Sequence, residues 1–221
     1  GRIPIIAGAG SNSTKEASKL ASHAGKAGAD AVLVVTPYYN KPTQSGLYSH
    51  FMSVADAAKI PLIVYDIPGR SIVPVHDSTL VKLCENHELI SGIKDATADI
   101  SRPPRLLRLI GSGFSQLSGE DATALPYLAA GGHGCISVSS NIAPKLLAEM
   151  HDAWNNSDYN KAFGNHLKLI NLHDAIFCES SPGPVKFAAE RLGLCKSEAR
   201  LPIVEIEAKS KSIIITALKE C

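Results

Sequence analysis

The sequence predicts an α/β protein in which a parallel sheet is covered by helices. Three observations support this: near-continuous apolar runs rich in β-branched residues, helical patterns between them, and regular spacing. Buried parallel strands have such apolar runs, and starts about 20–30 residues apart are typical of βαβ units. The predicted strands are residues 3–7, 31–35, 61–65, 90–94, 114–117 and 134–138.

The predicted helices follow the strands in turn. The first begins with the capping box Ser13-Thr14-Lys15-Glu16, which satisfies free backbone N–H groups at a helix start. The others are residues 46–58, 77–86, 101–109, 121–129 and 142–155. Beyond residue 138 the strand pattern stops, and the remainder is predicted to be helical with a break at Ser181-Pro182-Gly183-Pro184.

The six predicted units are fewer than the eight of a closed (β/α) barrel. Two interpretations follow from the residues alone. Either the sheet is open, or two opening units are missing from this chain. No low-complexity linker or repeat boundary divides the 221 residues.

Composition excludes several classes of function. With 45% hydrophobic and 19% charged residues, the chain is an ordinary globular protein. A net charge of +1 gives no reason to expect nucleic acid or an anionic membrane as partner. No run reaches the ~20 apolar residues of a membrane span. The five scattered cysteines predict a reducing cytoplasm. The eight histidines include no H-E-x-x-H pattern and no tight cluster with Cys or Asp, so no metal is expected. No cofactor is expected either.

Lys94 is the most informative residue, because it closes the fourth predicted strand. Burying an ammonium is costly, so such a lysine tends to lose its proton and becomes able to attack a carbonyl. This predicts an enzyme that forms a Schiff base. The alternative is a surface lysine whose stem lies along apolar neighbours.

Tyr39 and Tyr65 follow or close earlier predicted strands, at the face where barrel enzymes collect their catalytic groups. A phenol there can carry the protons that a Schiff-base cycle requires, although tyrosine on a core strand is commonly packing. Arg70 lies in the loop beyond Tyr65, where a guanidinium suits a substrate carboxylate. A solvated loop arginine is the alternative.

Two glycine-rich segments lack the residues of the functional motifs that they superficially resemble. Gly8-Ala9-Gly10 lacks the third glycine of a dinucleotide site, and the next strand ends without an acidic residue to hold a ribose. Gly131-Gly132-His133-Gly134 is accompanied by no G-x-S-x-G nucleophile. We expect a tight helix-to-strand turn there, with a structural His133.

Together these segments resemble the dihydrodipicolinate synthase family, in order and spacing from residue 1 to nearly the end. The motifs are Val35-Thr36-Pro37-Tyr38-Tyr39-Asn40-Lys41-Pro42, Tyr65-Asp66-Ile67-Pro68-Gly69-Arg70, Gly92-Ile93-Lys94-Asp95-Ala96-Thr97, Leu117-Ser118-Gly119-Glu120-Asp121 and Gly131-Gly132-His133-Gly134-Cys135-Ile136-Ser137. The resemblance implies a (β/α)8 barrel, usually a homotetramer built as a dimer of dimers. It also implies condensation of pyruvate with aspartate semialdehyde on the way to diaminopimelate and lysine.

The resemblance also implies roles by motif position. Lys94 corresponds to the lysine that forms the pyruvate Schiff base, and Tyr65 to the tyrosine that protonates and positions the intermediate. Tyr39 corresponds to a tyrosine contributed across a dimer interface to a neighbour's proton relay. Arg70 corresponds to the arginine that receives the semialdehyde carboxylate.

Five further positions carry implied binding roles. Gly119 and Ile136 fall where the family's backbone lines the pyruvate pocket. Asn12, Glu16 and Tyr38 fall where lysine-inhibited members bind lysine at the dimer interface.

One family segment, Gly-x-x-Gly-Glu with the threonines of the hydroxyl relay, is absent, and so are the histidines that usually complete the lysine site. We therefore expect an N-terminally truncated chain, with barrel units three to eight in residues 1–155 and a helical region in residues 156–221. Sister lyases that share the lysine and tyrosine, such as N-acetylneuraminate lyase or 2-keto-3-deoxy sugar-acid aldolases, are the nearest alternatives. An inactive binding relative is another.

Overall fold

The computed structural model of the protein describes residues 1–221. It divides into two compact units, residues 1–136 and residues 137–221. The predicted boundary after residue 155 stays a prediction.

A single six-stranded parallel sheet forms the first unit. Its strands are β1 (Ile6–Gly8), β2 (Ala31–Val35), β3 (Leu62–Asp66), β4 (Ile90–Asp95), β5 (Ser115–Ser118) and β6 (Gly134–Cys135). Their order in the sheet is their order in the chain. A doubly wound sheet would reverse its strand order at one point, whereas a barrel adds each strand beside the last. The sheet is therefore wound in one direction, as in a (β/α) barrel.

Helices follow every strand but the last in this unit, as the sequence predicts. They are α1 (Thr14–Lys26), α2 (Gln44–Ala58), α3 (Pro68–Ser71), α4 (Asp77–Asn86), α5 (Arg102–Ile110) and α6 (Ala124–Ala129). The predicted capping box is formed in part, because the Ser13 side chain accepts from the Glu16 backbone N–H at 3.4 Å. The expectation of two further barrel units stays a prediction.

The two edge strands differ from the predicted ranges. At the first edge, Pro4 has no N–H to donate to the ladder, and the Ile5 N–H donates to the Asp30 side chain at 2.7 Å, so β1 begins only at Ile6. At the other edge, β6 ends at Cys135, although the prediction extended it to residue 138. The chain turns into a 3-10 helix, Ser139–Asn141, instead of continuing along β5.

The core of the first unit lies between the sheet and its outer helices. Buried apolar side chains from β2, β3 and β4 pack there against those from α1, α2 and α4. The largest of them are Leu47, Phe51, Leu62, Leu80, Leu83 and Ile93. This packing fixes the strand positions, and with them the residues at the strand ends.

The second unit contains four helices: α7 (Pro144–Asn155), α8 (Tyr159–Ala175), α9 (Gly183–Arg191) and α10 (Ala208–Glu220). Helix α8 packs against α7 and α10, and α10 also contacts α9. The predicted break at residues 181–184 is placed slightly late, because α9 already begins at Gly183. No helix in the chain has the length and apolar character needed to cross a membrane.

Candidate active site

Lys94 lies within β4, directly opposite Tyr65 on β3. Its side chain is only 9% exposed, and its Nζ lies 4.2 Å from the centroid of the Tyr65 ring. Burial lowers the pKa of the Lys94 amine, and Cys135, followed by Asp121 and Glu120, only partly opposes this shift. The amine is therefore easier to deprotonate than an exposed lysine, as a nucleophile for a carbonyl must be.

Tyr65 supplies a hydroxyl group at the same strand end. Burial raises the pKa of its phenol, and the positive charge of Arg70 opposes that shift. The phenol therefore keeps its proton near neutral pH. It can donate to an oxygen that becomes negative beside Lys94.

The sequence-predicted backbone positions lie at the ends of the neighbouring strands. The Gly119 N–H donates to the Asp95 carbonyl at 2.7 Å, and the Ile136 N–H donates to the Ser118 carbonyl at 2.9 Å. A Cβ atom on Gly119 would lie 2.7 Å from the Ala96 Cβ and 3.1 Å from the Lys94 Cε. Residue 119 must therefore be glycine for the Lys94 stem to lie where it does.

Two carboxylates complete the surroundings of Lys94, and the sequence interpretation gave them no role. Glu120 and Asp121 follow Gly119, and both influence the Lys94 amine. Burial, followed by the Asp121 charge, raises the pKa of Glu120, while Lys94 and Arg70 lower it. Their position in the sequence could have predicted this, because Glu120 and Asp121 follow the fifth strand and the carboxyl ends of parallel strands lie at the same edge of the sheet.

Arg70 is one of the residues that line an open cleft of about 430 Å³. Arg70 is an exposed residue of the short helix α3. The cleft is lined by Gly8, Gly10, Leu33, Val35, Tyr38, Tyr65, Ile67, Arg70 and Ser71. Tyr65 thus contacts Lys94 and also lines the cleft that Arg70 lines. The Lys94 amine therefore lies next to a space in which Arg70 can bind a carboxylate.

Tyr39 is not gathered into this buried group. Its side chain is 86% exposed, and its backbone has a φ of 71° in a tight turn that the Asn40 N–H closes onto the Tyr38 carbonyl. A non-glycine residue in this region is strained, and such strain is typical of functional positions.

The three residues of the predicted lysine site lie close to this turn. The Asn12 amide donates to the Tyr38 carbonyl at 3.2 Å, and the Asn40 amide donates to the Asn12 carbonyl at 2.9 Å. The exposed Glu16 accepts from the Ser11 hydroxyl at 2.5 Å. One hydrogen-bonded surface therefore connects the start of α1 with the loop after β2.

The two glycine-rich segments have structural explanations. A Cβ on Gly10 would lie 2.5 Å from the Val35 Cγ1 atom, so the glycine allows close strand packing. The His133 N–H donates to the Gln116 carbonyl and its Nδ1 accepts from the Gln116 N–H, at 2.8 and 3.0 Å. The prediction of a structural His133 is confirmed.

A buried ion cluster lies on the opposite face of β3 and β4. Arg102, from the start of α5, places its Nη1 2.7 Å from the Asp66 Oδ2 and 3.6 Å from the Asp95 Oδ1. Its Nε contacts Asp77 at 3.0 Å, and its Nη2 donates to the Val75 carbonyl at 2.6 Å. The sequence interpretation gave this cluster no role, although an aspartate directly follows both Tyr65 and Lys94.

A buried lysine amine beside a tyrosine ring, at the carboxyl ends of strands wound as in a (β/α) barrel, is the arrangement that a Schiff-base-forming lyase requires. Comparisons with known proteins agree. The sequence model of the dihydrodipicolinate synthetase family matches residues 1–221. The chain belongs to this family.

Individual relatives are similar over almost the whole chain. A 4-hydroxy-tetrahydrodipicolinate synthase from Gluconacetobacter diazotrophicus is 55% identical over 219 residues, which are 99% of this chain and 73% of the relative. A dihydrodipicolinate synthase from Acinetobacter baumannii, solved with pyruvate, has a TM-score of 0.95 at 44% identity, covering 99% and 75% of the two chains. A homologue from Cyanidioschyzon merolae, solved with lysine, has a TM-score of 0.94 at 35% identity, covering 98% and 74%.

Proposed function

We propose that this chain catalyses the condensation of pyruvate with L-aspartate-4-semialdehyde to 4-hydroxy-tetrahydrodipicolinate, a step of diaminopimelate and lysine biosynthesis. The observation that carries the proposal is the Lys94 amine, buried and 4.2 Å from the Tyr65 ring centroid. Relatives with the synthase name, and a similar enzyme solved with pyruvate, support this substrate. The same names disfavour the sister lyases and an inactive relative.

The chemistry begins with the neutral Lys94 amine, which attacks the keto carbon of pyruvate. The carbonyl oxygen gains a proton, and the carbinolamine loses water to give an imine bonded to Nζ. Tyr65 supplies and recovers protons at this oxygen, because its raised pKa keeps the phenol protonated until it is used. Loss of a methyl proton then gives the nucleophilic enamine.

The second substrate enters beside Arg70. The enamine carbon attacks the aldehyde carbon of the semialdehyde, and the aldehyde oxygen takes a proton. Arg70 pairs with the semialdehyde carboxylate, a geometry that a planar guanidinium fork favours. Attack of the substrate's own amine on the imine then closes the ring and releases Lys94. The backbones of Gly119 and Ile136 line the pyruvate side of this space.

The assembly belongs to the same proposal. Tyr39 is 86% exposed in a strained turn, which supports its service to a neighbouring subunit of a homotetramer, a dimer of dimers. Lysine binds through Asn12, Glu16 and Tyr38, as the hydrogen bonds around that turn and the lysine-bound homologue support. The cytoplasm is the proposed compartment, and the free state of all five cysteines supports it.

Borohydride trapping tests the proposal directly. Pyruvate and borohydride together should add one reduced pyruvate to the protein, and peptide mass mapping should locate it on Lys94. Lys94→Arg should abolish both the adduct and the condensation, because a guanidinium cannot form the imine.

Lys59→Arg is the matched control, since Lys59 lies at the end of α2. That variant should be trapped as readily as the wild type. An adduct on another lysine, or no adduct, would refute the assignment. Trapping without condensation of the semialdehyde would instead favour a sister lyase.

A further inference from the structure

We infer that Arg102 is a positioning residue of the reaction: one guanidinium fastens the ends of the strands that carry Lys94 and Tyr65 and the far end of the loop that carries Arg70. The inference rests on the proposed function and assigns a role to side chains that never touch the substrate. Its basis is the buried cluster of Arg102 with Asp66, Asp95 and the Val75 carbonyl.

Strand register places this cluster directly behind the reacting groups. Tyr65 pairs with Lys94, and the next residues along the same strands, Asp66 and Asp95, also pair with each other. Successive side chains of a strand point to opposite faces of the sheet. When Tyr65 and Lys94 face the site, the two aspartates therefore face α5, where Arg102 Nη1 lies 2.7 Å from one and 3.6 Å from the other.

The same guanidinium also anchors the substrate loop. Arg70 lies between the end of β3 and Val75. At the far end of this segment the Val75 carbonyl accepts from the Arg102 Nη2 at 2.6 Å, and the Val75 N–H donates to the Asp66 Oδ2 at 3.2 Å. Arg102 therefore holds both ends of the segment that carries Arg70.

Stability alone does not explain this cluster. Arg102, Asp66 and Asp95 are 4%, 0% and 2% exposed, so all three charges are desolvated. Removing charged groups from water costs folding free energy even when they are paired with one another. Well-packed apolar residues often serve stability equally well at such places. A cluster this costly is explained by the geometry that it imposes on Lys94, Tyr65 and Arg70.

The test compares two arginines of the same helix. Arg102→Lys keeps the charge but loses the guanidinium fork that reaches Asp66, Asp77, Asp95 and the Val75 carbonyl. Arg105→Lys is the matched control, because Arg105 shares the partner Asp77 but is 46% exposed. Borohydride trapping at saturating pyruvate counts competent sites, and kcat is then expressed per competent site, so that misfolded protein does not contribute.

We expect Arg102→Lys to lower kcat per competent site about tenfold or more, because small displacements of reacting groups are costly. Arg105→Lys should remain within about twofold of the wild type, since its ion pairs are exposed. If Arg102→Lys does not fold, Asp66→Asn provides the second variant. It preserves the shape of the side chain, removes its charge and should also lower kcat per competent site, by about threefold.

Several outcomes would overturn the inference. One is a loss of total activity in Arg102→Lys that is fully explained by a smaller number of competent sites. Another is a decrease of kcat per competent site in Arg105→Lys that equals the decrease in Arg102→Lys. A third, should Arg102→Lys fail to fold, is an unchanged kcat per site in Asp66→Asn. A wild-type protein that cannot be trapped at all would refute the proposed function itself, and this inference with it.

Discussion

Lys94 and Tyr39 both belong to the carboxyl ends of parallel strands, yet their environments differ sharply. Lys94 is 9% exposed and paired across the sheet with Tyr65, whereas Tyr39 is 86% exposed in a turn with a φ of 71°. The lysine is held by strand register and by the packing behind it. The tyrosine is held by a local network in which Asn12 and Asn40 fasten the turn. Strand register therefore fixes the buried pair of Lys94 and Tyr65, whereas a strained loop presents Tyr39 outward.

The largest expected effects test whether Tyr39 serves a neighbouring subunit. Tyr65→Phe and Tyr39→Phe should each lower kcat about 100-fold, the size expected for a lost proton carrier. Each variant is then mixed with Lys94→Ala. Mixing should restore activity only with Tyr39→Phe, because a mixed dimer then contains one site with both Lys94 and Tyr39.

Tyr65→Phe is the internal control of that mixing experiment. Lys94 and Tyr65 of one active site come from the same chain. In a mixed dimer of Tyr65→Phe and Lys94→Ala, each chain therefore lacks one of these residues in its own site, and neither site is complete. Restored activity in both mixtures, or in neither, would contradict the hypothesis that Tyr65 acts in the site of its own chain and Tyr39 in the site of a neighbouring chain.

A smaller effect on catalysis is expected from Arg70, which lines the same cleft as Tyr65 and Tyr38. Arg70→Ala should raise the KM for the semialdehyde about 10- to 150-fold, which corresponds to the roughly 1.5–3 kcal/mol of a charge-assisted hydrogen bond. The KM for pyruvate should change little. Steady-state kinetics with each substrate varied in turn measures both values.

Arg70→Lys refines this prediction, because it keeps the charge and loses the planar fork. An intermediate KM for the semialdehyde would indicate that fork geometry matters. Equal increases for both substrates in Arg70→Ala would contradict the assignment and would indicate a general disturbance of the loop.

The smallest effect is expected for lysine binding at the exposed residue Glu16. Glu16→Gln should weaken lysine binding about fivefold, because an exposed ion pair contributes up to about 1 kcal/mol. The amide keeps an oxygen that can accept from the Ser11 hydroxyl, so the start of α1 is preserved. Isothermal titration calorimetry with lysine measures the affinity.

Glu88→Gln removes a similar exposed charge away from this surface and should leave lysine binding unchanged. If Glu16→Gln binds lysine as tightly as the wild type, the Glu16 side chain serves only its hydrogen bond with Ser11.

The sequence was sufficient to locate the strands and the amine. Strand β2 and helix α4 have their predicted bounds, because apolar periodicity reports the core directly. Lys94 was identified because a strand-end lysine is conspicuous within an apolar run. The edges were predicted less well, since β1 and β6 depend on Pro4 and on the turn after Cys135 rather than on periodicity.

The role of Arg102 could not be predicted in the same way. It depends on a register that pairs Asp66 with Asp95, and on the position of α5 over those two strands. Neither is local in sequence. The exposure of Tyr39 was similarly hidden, because a tyrosine after an apolar strand is compatible with either core packing or solvent.

Gly119 places a limit on how this sequence can diversify. Any side chain at that position begins with a Cβ only 2.7 Å from the Ala96 Cβ and 3.1 Å from the Lys94 Cε. Substitution is therefore tolerated only if the reactive lysine moves as well. A homologue that keeps the Lys94 amine in this position must therefore keep glycine at position 119. A homologue that loses this glycine must at the same time change the position of its reactive lysine.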